Sequence, residues 1–132
     1  MPATGHLTLS KKERLTGKTL VESLFKGGGS RSLSFFPLRA VYAFVEDGDV
    51  PVRLLVSVPK RCFKRAVKRN RVKRQVREAF RKHKHVLHEK MAALAEGKTL
   101  AVAFIWLDDH LHDSVEVEKR VSSLLVRIGE RL

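Results

Sequence analysis

Asn70, Arg74, Arg77 and Arg81 recur at spacings of four, three and four, which at 100° per residue sets one amide and three guanidinium groups along one side of a helix. Arg71 and Lys73 flank that row. A guanidinium grips phosphate oxygens with two parallel donors, Lys adds a point charge, and Asn donates or accepts at a sugar or a base edge. The chemistry on offer is the binding of a polyanion. From Lys60 to Lys84 there are thirteen Lys and Arg and a single acid, Glu78, a local charge of +12 against +13 for the whole chain. A merely solvated face would carry Glu or Asp four residues ahead of its cations and so relieve its own repulsion. Here the relief has to come from outside. Nucleic acid suits that need better than another polyanion or an anionic membrane surface.

Other clusters have simpler explanations. Glu96-Gly97-Lys98-Thr99 looks like the end of a nucleotide-binding glycine loop, but the first glycine would fall on Ala92, and a helix precedes it where a strand is needed. His83, His85 and His88 stand close together, with His110 and His112 farther on, yet no Cys joins them and no metal is expected there. Asp108, Asp109 and Asp113 follow a strand and precede a helix, where a turn and an N-terminal cap account for them without a nuclease site. No Ser, His and acid set stands out as a nucleophilic triad. Cys62 is the one cysteine, which rules out an internal disulfide. Beside Phe63 it reads as a buried spectator thiol.

These residues need elements to position them. Opposite the cationic row, Val72, Val76, Ala79 and Phe80 form an apolar stripe, so the basic segment over 66–81 is an amphipathic helix docked on a core. Lys18 to Lys26 reads as a short helix stopped by Gly27-Gly28-Gly29. Residues 35–45 and 52–58 read as strands joined into a hairpin by Glu46-Asp47-Gly48-Asp49. Pro37 cannot donate to a ladder, so the first of these starts near Leu38 or runs along an edge. A second helical stretch passes Leu87, Met91 and Leu94 and ends at Gly97. Thr99 to Leu107 is almost continuously apolar and belongs in the middle of the sheet. Ser114 to Arg131 closes the order as a helix with Val117, Val121, Leu124, Leu125 and Ile128 inward. The sequence predicts an α/β (α+β) two-layer sandwich, α-β-β-α-β-α, with a mixed sheet; if the strand ending at Val58 and the strand beginning at Thr99 are parallel neighbours, the basic helix is their crossover, right-handed by the usual rule.

With 132 residues this is a single domain, 1–132, in which residues 1–10 are expected to form a flexible N-terminal segment. No apolar run approaches the ~20 residues a membrane helix needs, so no membrane association is expected and the cytoplasm is the expected location.

Lys68-Arg69-Asn70-Arg71-Val72-Lys73-Arg74, preceded by Val56-Ser57-Val58-Pro59-Lys60-Arg61 and followed by Arg77-Glu78-Ala79-Phe80-Arg81, resembles the signature of the bacterial ribonuclease P protein subunit. Its basic "RNR" helix follows a strand of this kind. Lys12 to Leu15, Leu24-Phe25-Lys26-Gly27 and the Phe104 strand also fall where that family has equivalents. Val21 stands where many members carry Phe, and Phe63 where a small residue is common. The resemblance implies a left-handed crossover through the basic helix. It implies the non-catalytic protein subunit of an endonuclease that removes the 5′ leader from precursor tRNA, the RNA subunit carrying the chemistry. The RNA contacts it implies are Lys60, Arg61, Lys64, Lys68, Arg69, Asn70, Arg71, Lys73, Arg74, Arg77 and Arg81. Phe25 and Tyr42 are the residues expected to meet the single-stranded leader in a cleft between the sheet and the N-terminal helix. The implied partners are the ribonuclease P RNA and precursor tRNA, with no obligate protein partner, and Mg²⁺ is expected in the holoenzyme, held mainly by the RNA and not by the protein.

Two other classes compete. A general RNA-binding protein of ribosome or RNA assembly would share the basic helix and need no leader cleft, so that Phe25 and Tyr42 would simply be core. A membrane-active cationic helix would crowd Trp, Leu or Phe on its apolar side, where this one has Val72, Val76 and Ala79. DNA binding lacks helix-turn-helix spacing ahead of the basic helix.

Overall fold

The structure is a computed structural model that describes residues 31–45, 51–94 and 98–132. Its elements, in chain order, are β1 (Arg31–Phe35), β2 (Leu38–Val45), β3 (Val52–Ser57), α1 (Ala66–His83), α2 (His85–Leu94), β4 (Thr99–Trp106) and α3 (Ser114–Arg131). The predicted helix at Lys18–Lys26 and the N-terminal segment lie outside the described residues.

The four strands form one mixed sheet in the order β1-β2-β4-β3, with β4 antiparallel to β2 and parallel to β3. α1 and α2 occupy the connection between the parallel pair, as the sequence predicts. One expectation fails. β2 and β3 are not a hairpin, because β4 lies between them. The Glu46–Asp49 cluster is a local turn signal, but β4 is the strand buried along almost its whole length, and the centre of the sheet is where such a strand loses most apolar surface to water. The true hairpin is β1–β2, turning at Phe36-Pro37 with Phe35 opposite Leu38. The sequence carries no signal for a separate β1, because in Arg31-Ser32-Leu33-Ser34-Phe35 only Leu33 is buried. Pro37 ends up between the two strands, and β2 starts at Leu38 as expected.

Alternation along the strands sends Leu33, Leu38, Ala40, Val52, Leu54, Val56, Leu100, Val102, Phe104 and Trp106 to one face. The helices cover this face, contributing Val72, Val76, Ala79 and Phe80 from α1 and Val117, Val121, Leu124, Leu125 and Ile128 from α3. Each helical stripe is the one the spacing predicts. α1 and α3 lie side by side, α3 reaching β1 and β2 while α1 and α2 reach β3. On the second face, Val41, Ala101 and Ala103 form a smaller buried apolar group with Ala43, Val45, Leu55 and Ile105 beside it.

Candidate nucleic-acid interface

α1 is oriented by burial of its apolar stripe: Val72, Val76 and Phe80 are fully buried, so the opposite side of the helix faces outward. Lys60, Arg61, Lys64, Lys68, Asn70, Arg71 and Arg74 are exposed, while Arg69, Lys73, Arg77 and Arg81 are partly covered. The expected residues are therefore brought together on the loop leading into α1 and on its outer side. No ion pair forms on Lys60, Arg61, Lys64, Lys68, Arg71, Lys73 or Arg74 among the described residues. Arg81 differs, because Glu78, the only acid of the helix, pairs with it in a two-pronged contact. That hydrogen bond holds the Glu78 carboxyl below its ordinary range.

Arg69 turns back toward its own chain. Its Nη1 donates to the carbonyl oxygens of Phe63, at 2.7 Å, and Lys64, at 2.8 Å. The loop 58–65 is thereby pinned to the second turn of the helix. Phe63 is 6% exposed, and Cys62 beside it is 8% exposed with Sγ 3.6 Å from the carbonyl oxygen of Trp106. Burial pushes the Cys62 thiol up, as suits a spectator. The large Phe63 is thus taken into the core, and the loop carries Lys60, Arg61 and Lys64 on its outer surface. α1 begins after Arg65 with no side-chain cap and no acid in its first turn, which leaves first-turn N–H groups available to an anion.

The sequence reading missed Arg65, exposed at the start of α1, although it belongs to the same run of cations. Gln75 was also missed. Its Nε2 donates to the carbonyl oxygen of His112 at 3.0 Å and to Ser114 Oγ at 3.1 Å, fixing the loop after β4 to α1. No pattern in the sequence signals a contact across 37 residues.

That loop absorbs the acids and histidines. Asp113 caps α3, accepting from the Glu116 N–H at 3.0 Å, as expected from its position. Asp108 lies 2.8 Å from His112 Nε2 and 3.3 Å from His110 Nδ1, and Asp109 lies 2.6 Å from the same His110 nitrogen. Asp108, Asp109 and His110 could each offer a ligand atom to one ion, yet the His–Asp pairs account for their closeness. His112, and after it His110, hold the Asp108 carboxyl below its usual range; Asp108 and Asp109 push the His110 imidazole up. A depressed carboxylate adds stability above its unfolded value, 3.8, and loses it as pH falls through the folded value. A raised imidazole adds stability below 6.5 and loses it as pH rises through the folded value. Asp108→Asn should therefore cost most stability between these limits and least at the two extremes. Thermal melts of both proteins from pH 3 to pH 9 check this, and a difference independent of pH would count against it.

Of the two residues expected to meet a leader, Phe25 lies outside the described residues. Tyr42 is 4% exposed, on the helix-facing side of β2, and its hydroxyl has no hydrogen-bond partner among the described residues. It borders a cleft of about 310 Å³ that Arg31, Phe44, Arg131 and Leu132 also line. Phe44, 47% exposed, is the more accessible ring there.

No described helix is long and apolar enough to cross a membrane. The family described as Ribonuclease P matches residues 9–125. A relative from Porphyromonas gingivalis strain W83, "Ribonuclease P protein component", is 42% identical over 123 residues, covering 92% of this chain and 86% of its own. The ribonuclease P protein of Thermotoga maritima superposes with a TM-score of 0.63 at 27% identity, over 87% of this chain and 96% of that one. A Staphylococcus aureus ribonuclease P protein mutant superposes with a TM-score of 0.68 over 98% of both chains, and at 17% identity it speaks for the fold alone. With the sequence match spanning nearly the whole chain and the fold agreeing, the chain belongs to the ribonuclease P protein family, as a protein component of that endoribonuclease and a partner of its RNA.

Proposed function

We propose that the outer side of α1 and the loop before it bind the ribonuclease P RNA subunit, and that the protein helps that RNA to hold precursor tRNA while its 5′ leader is removed. The observation that carries this is the row of exposed cations from Lys60 to Arg74, which have no ion-pair partner among the described residues. Two RNAs that must meet repel each other, and a basic protein between them lowers that repulsion. Each phosphate met by Lys or Arg is one fewer site for condensed cations, so the demand for Mg²⁺, held mainly by the RNA, falls. No protein side chain takes a catalytic role in this reading. The leader meets Phe25 and the Tyr42 cleft, where Arg31 and Arg131 offer charge and Phe44 a ring, a combination that suits a single strand. Both RNAs place the work in the cytoplasm.

The test is leader release from labelled precursor tRNA at low Mg²⁺, with a cognate RNA subunit, the protein, or both. Release that needs both is expected. If the RNA cleaves equally well with and without protein at every Mg²⁺ concentration, the proposal fails and a general RNA-binding role takes its place.

A further inference from the structure

The β1–β2 turn meets α3 in an arrangement that the α1 interface does not use. Phe36 stands at the tip of the turn, 59% exposed, and its carbonyl oxygen accepts from Arg120 Nε at 3.1 Å. Two guanidinium groups face the neighbouring Phe35 ring, Arg120 at 4.5 Å and Arg127 at 5.3 Å from its centroid. Glu116 pairs with Arg120 at 2.6 Å. Arg127 is exposed, and its one recorded interaction among the described residues is with the ring. Both cations face the partly buried Phe35 ring and the one carboxylate pairs with Arg120 alone, which leaves a positive charge next to the residue whose side chain is uncovered, Phe36. That pairing of ring and guanidinium is what holds a nucleotide of an unpaired strand: the base stacks and the phosphate is met by charge.

The location favours RNA over a protein partner. β2 begins opposite the last residue of β4, and β3 ends opposite Ile105, so the Phe36 turn and the loop carrying Lys60, Arg61 and Lys64 emerge at the same end of the sheet. Strand spacing separates them by roughly 10–14 Å, a span of a few nucleotides. The acids at this end, Asp108 and Asp109, are engaged by His110 and His112.

We propose that this corner is a second RNA contact, at which Phe36 stacks on an unpaired base of the RNA subunit and Arg127 meets the adjoining phosphate. The inference rests on the reading that the RNA subunit lies on α1, and it places that RNA across the end of the sheet as well. Phe36→Ala and Arg127→Ala should each weaken affinity for the RNA subunit on the order of tenfold, with Phe36→Tyr retaining it. Phe36 is exposed, so the melting temperature of Phe36→Ala should match the parent, while Arg127→Ala, which also removes a cation from the Phe35 ring, should melt slightly lower. Unchanged affinity in Phe36→Ala overturns the proposal.

Photocrosslinking separates this inference from the reading beneath it. The full chain carrying p-benzoylphenylalanine at Phe36, or at Val67, which is 79% exposed in the first turn of α1, is irradiated with the RNA subunit and precursor tRNA. Crosslinks to the RNA subunit from both positions are expected. A crosslink from position 67 alone overturns the corner and leaves the α1 interface standing. Crosslinks from neither overturn both. A crosslink from position 36 to precursor tRNA overturns the assignment to the RNA subunit.

Discussion

Replacing Lys68, Arg71 and Arg74 together by Ala should weaken binding to the RNA subunit by about two orders of magnitude near physiological salt. It should also lower the slope of log affinity against log salt by about 2 to 3. The physical basis is counterion release: each cation that meets a phosphate frees condensed ions, at a slope of about 0.7 to 0.9 per contact. All three residues are exposed and without ion pairs, so removing them breaks no internal interaction of the described fold. Arg69→Ala provides the contrast. Its guanidinium is spent on the carbonyls of Phe63 and Lys64, so its loss should loosen the loop bearing Lys60, Arg61 and Lys64. Affinity should fall with little change in slope, and the melting temperature should fall too. Equal slope changes for Arg69→Ala and Arg74→Ala would sink the distinction between the pinning residue and the contact residues. Arg81→Ala should have the smallest effect of the group, because Glu78 already compensates its charge.

What could be read from the sequence divides along the range of the interactions. The α1 and α3 stripes, the depth of β4 and the Asp113 cap depend on spacing within one element, and each is found where the spacing places it. Which side of α1 faces outward follows from the same logic, because burying Val72, Val76 and Phe80 fixes where Arg71 and Arg74 point. Strand pairing depends on competition between distant segments. The turn signal at 46–49 marks a change of direction but not the neighbour, and β4 took the place beside β2. Arg69 shows the same limit at a smaller scale. In sequence it is one more cation of the RNR run, and only the fold of the loop supplies the two carbonyls that engage it. Gln75 and the Phe35, Arg120 and Arg127 corner are products of tertiary approach across tens of residues. Tyr42 is intermediate: the family resemblance offers it as a residue of the leader cleft, but which face of the sheet it takes depends on a register that the Phe36-Pro37 turn sets.

Phe80→Ala should destabilise the folded chain by about 3 to 5 kcal/mol, from the lost transfer of the ring out of water and the cavity left behind. Phe80 is fully buried, in the core cluster that α1 shares with the sheet. A domain of this size has about 5 to 15 kcal/mol in total, so the variant should be partly unfolded at 37 °C. Phe80→Leu, which refills much of the volume, should cost about 1.5 kcal/mol or less. The consequence for binding tests the link between core and interface. No cation is removed, so the folded fraction of Phe80→Ala should bind the RNA subunit with the parent salt slope, and RNA in excess should shift the chain toward the folded state by as much as it binds that state more tightly than the unfolded polycation. Urea unfolding with and without RNA measures both effects. A Phe80→Ala protein as stable as the parent would show that α1 is held by something other than its apolar stripe. A changed salt slope in the refolded complex would show that the stripe does not fix which cations face the RNA.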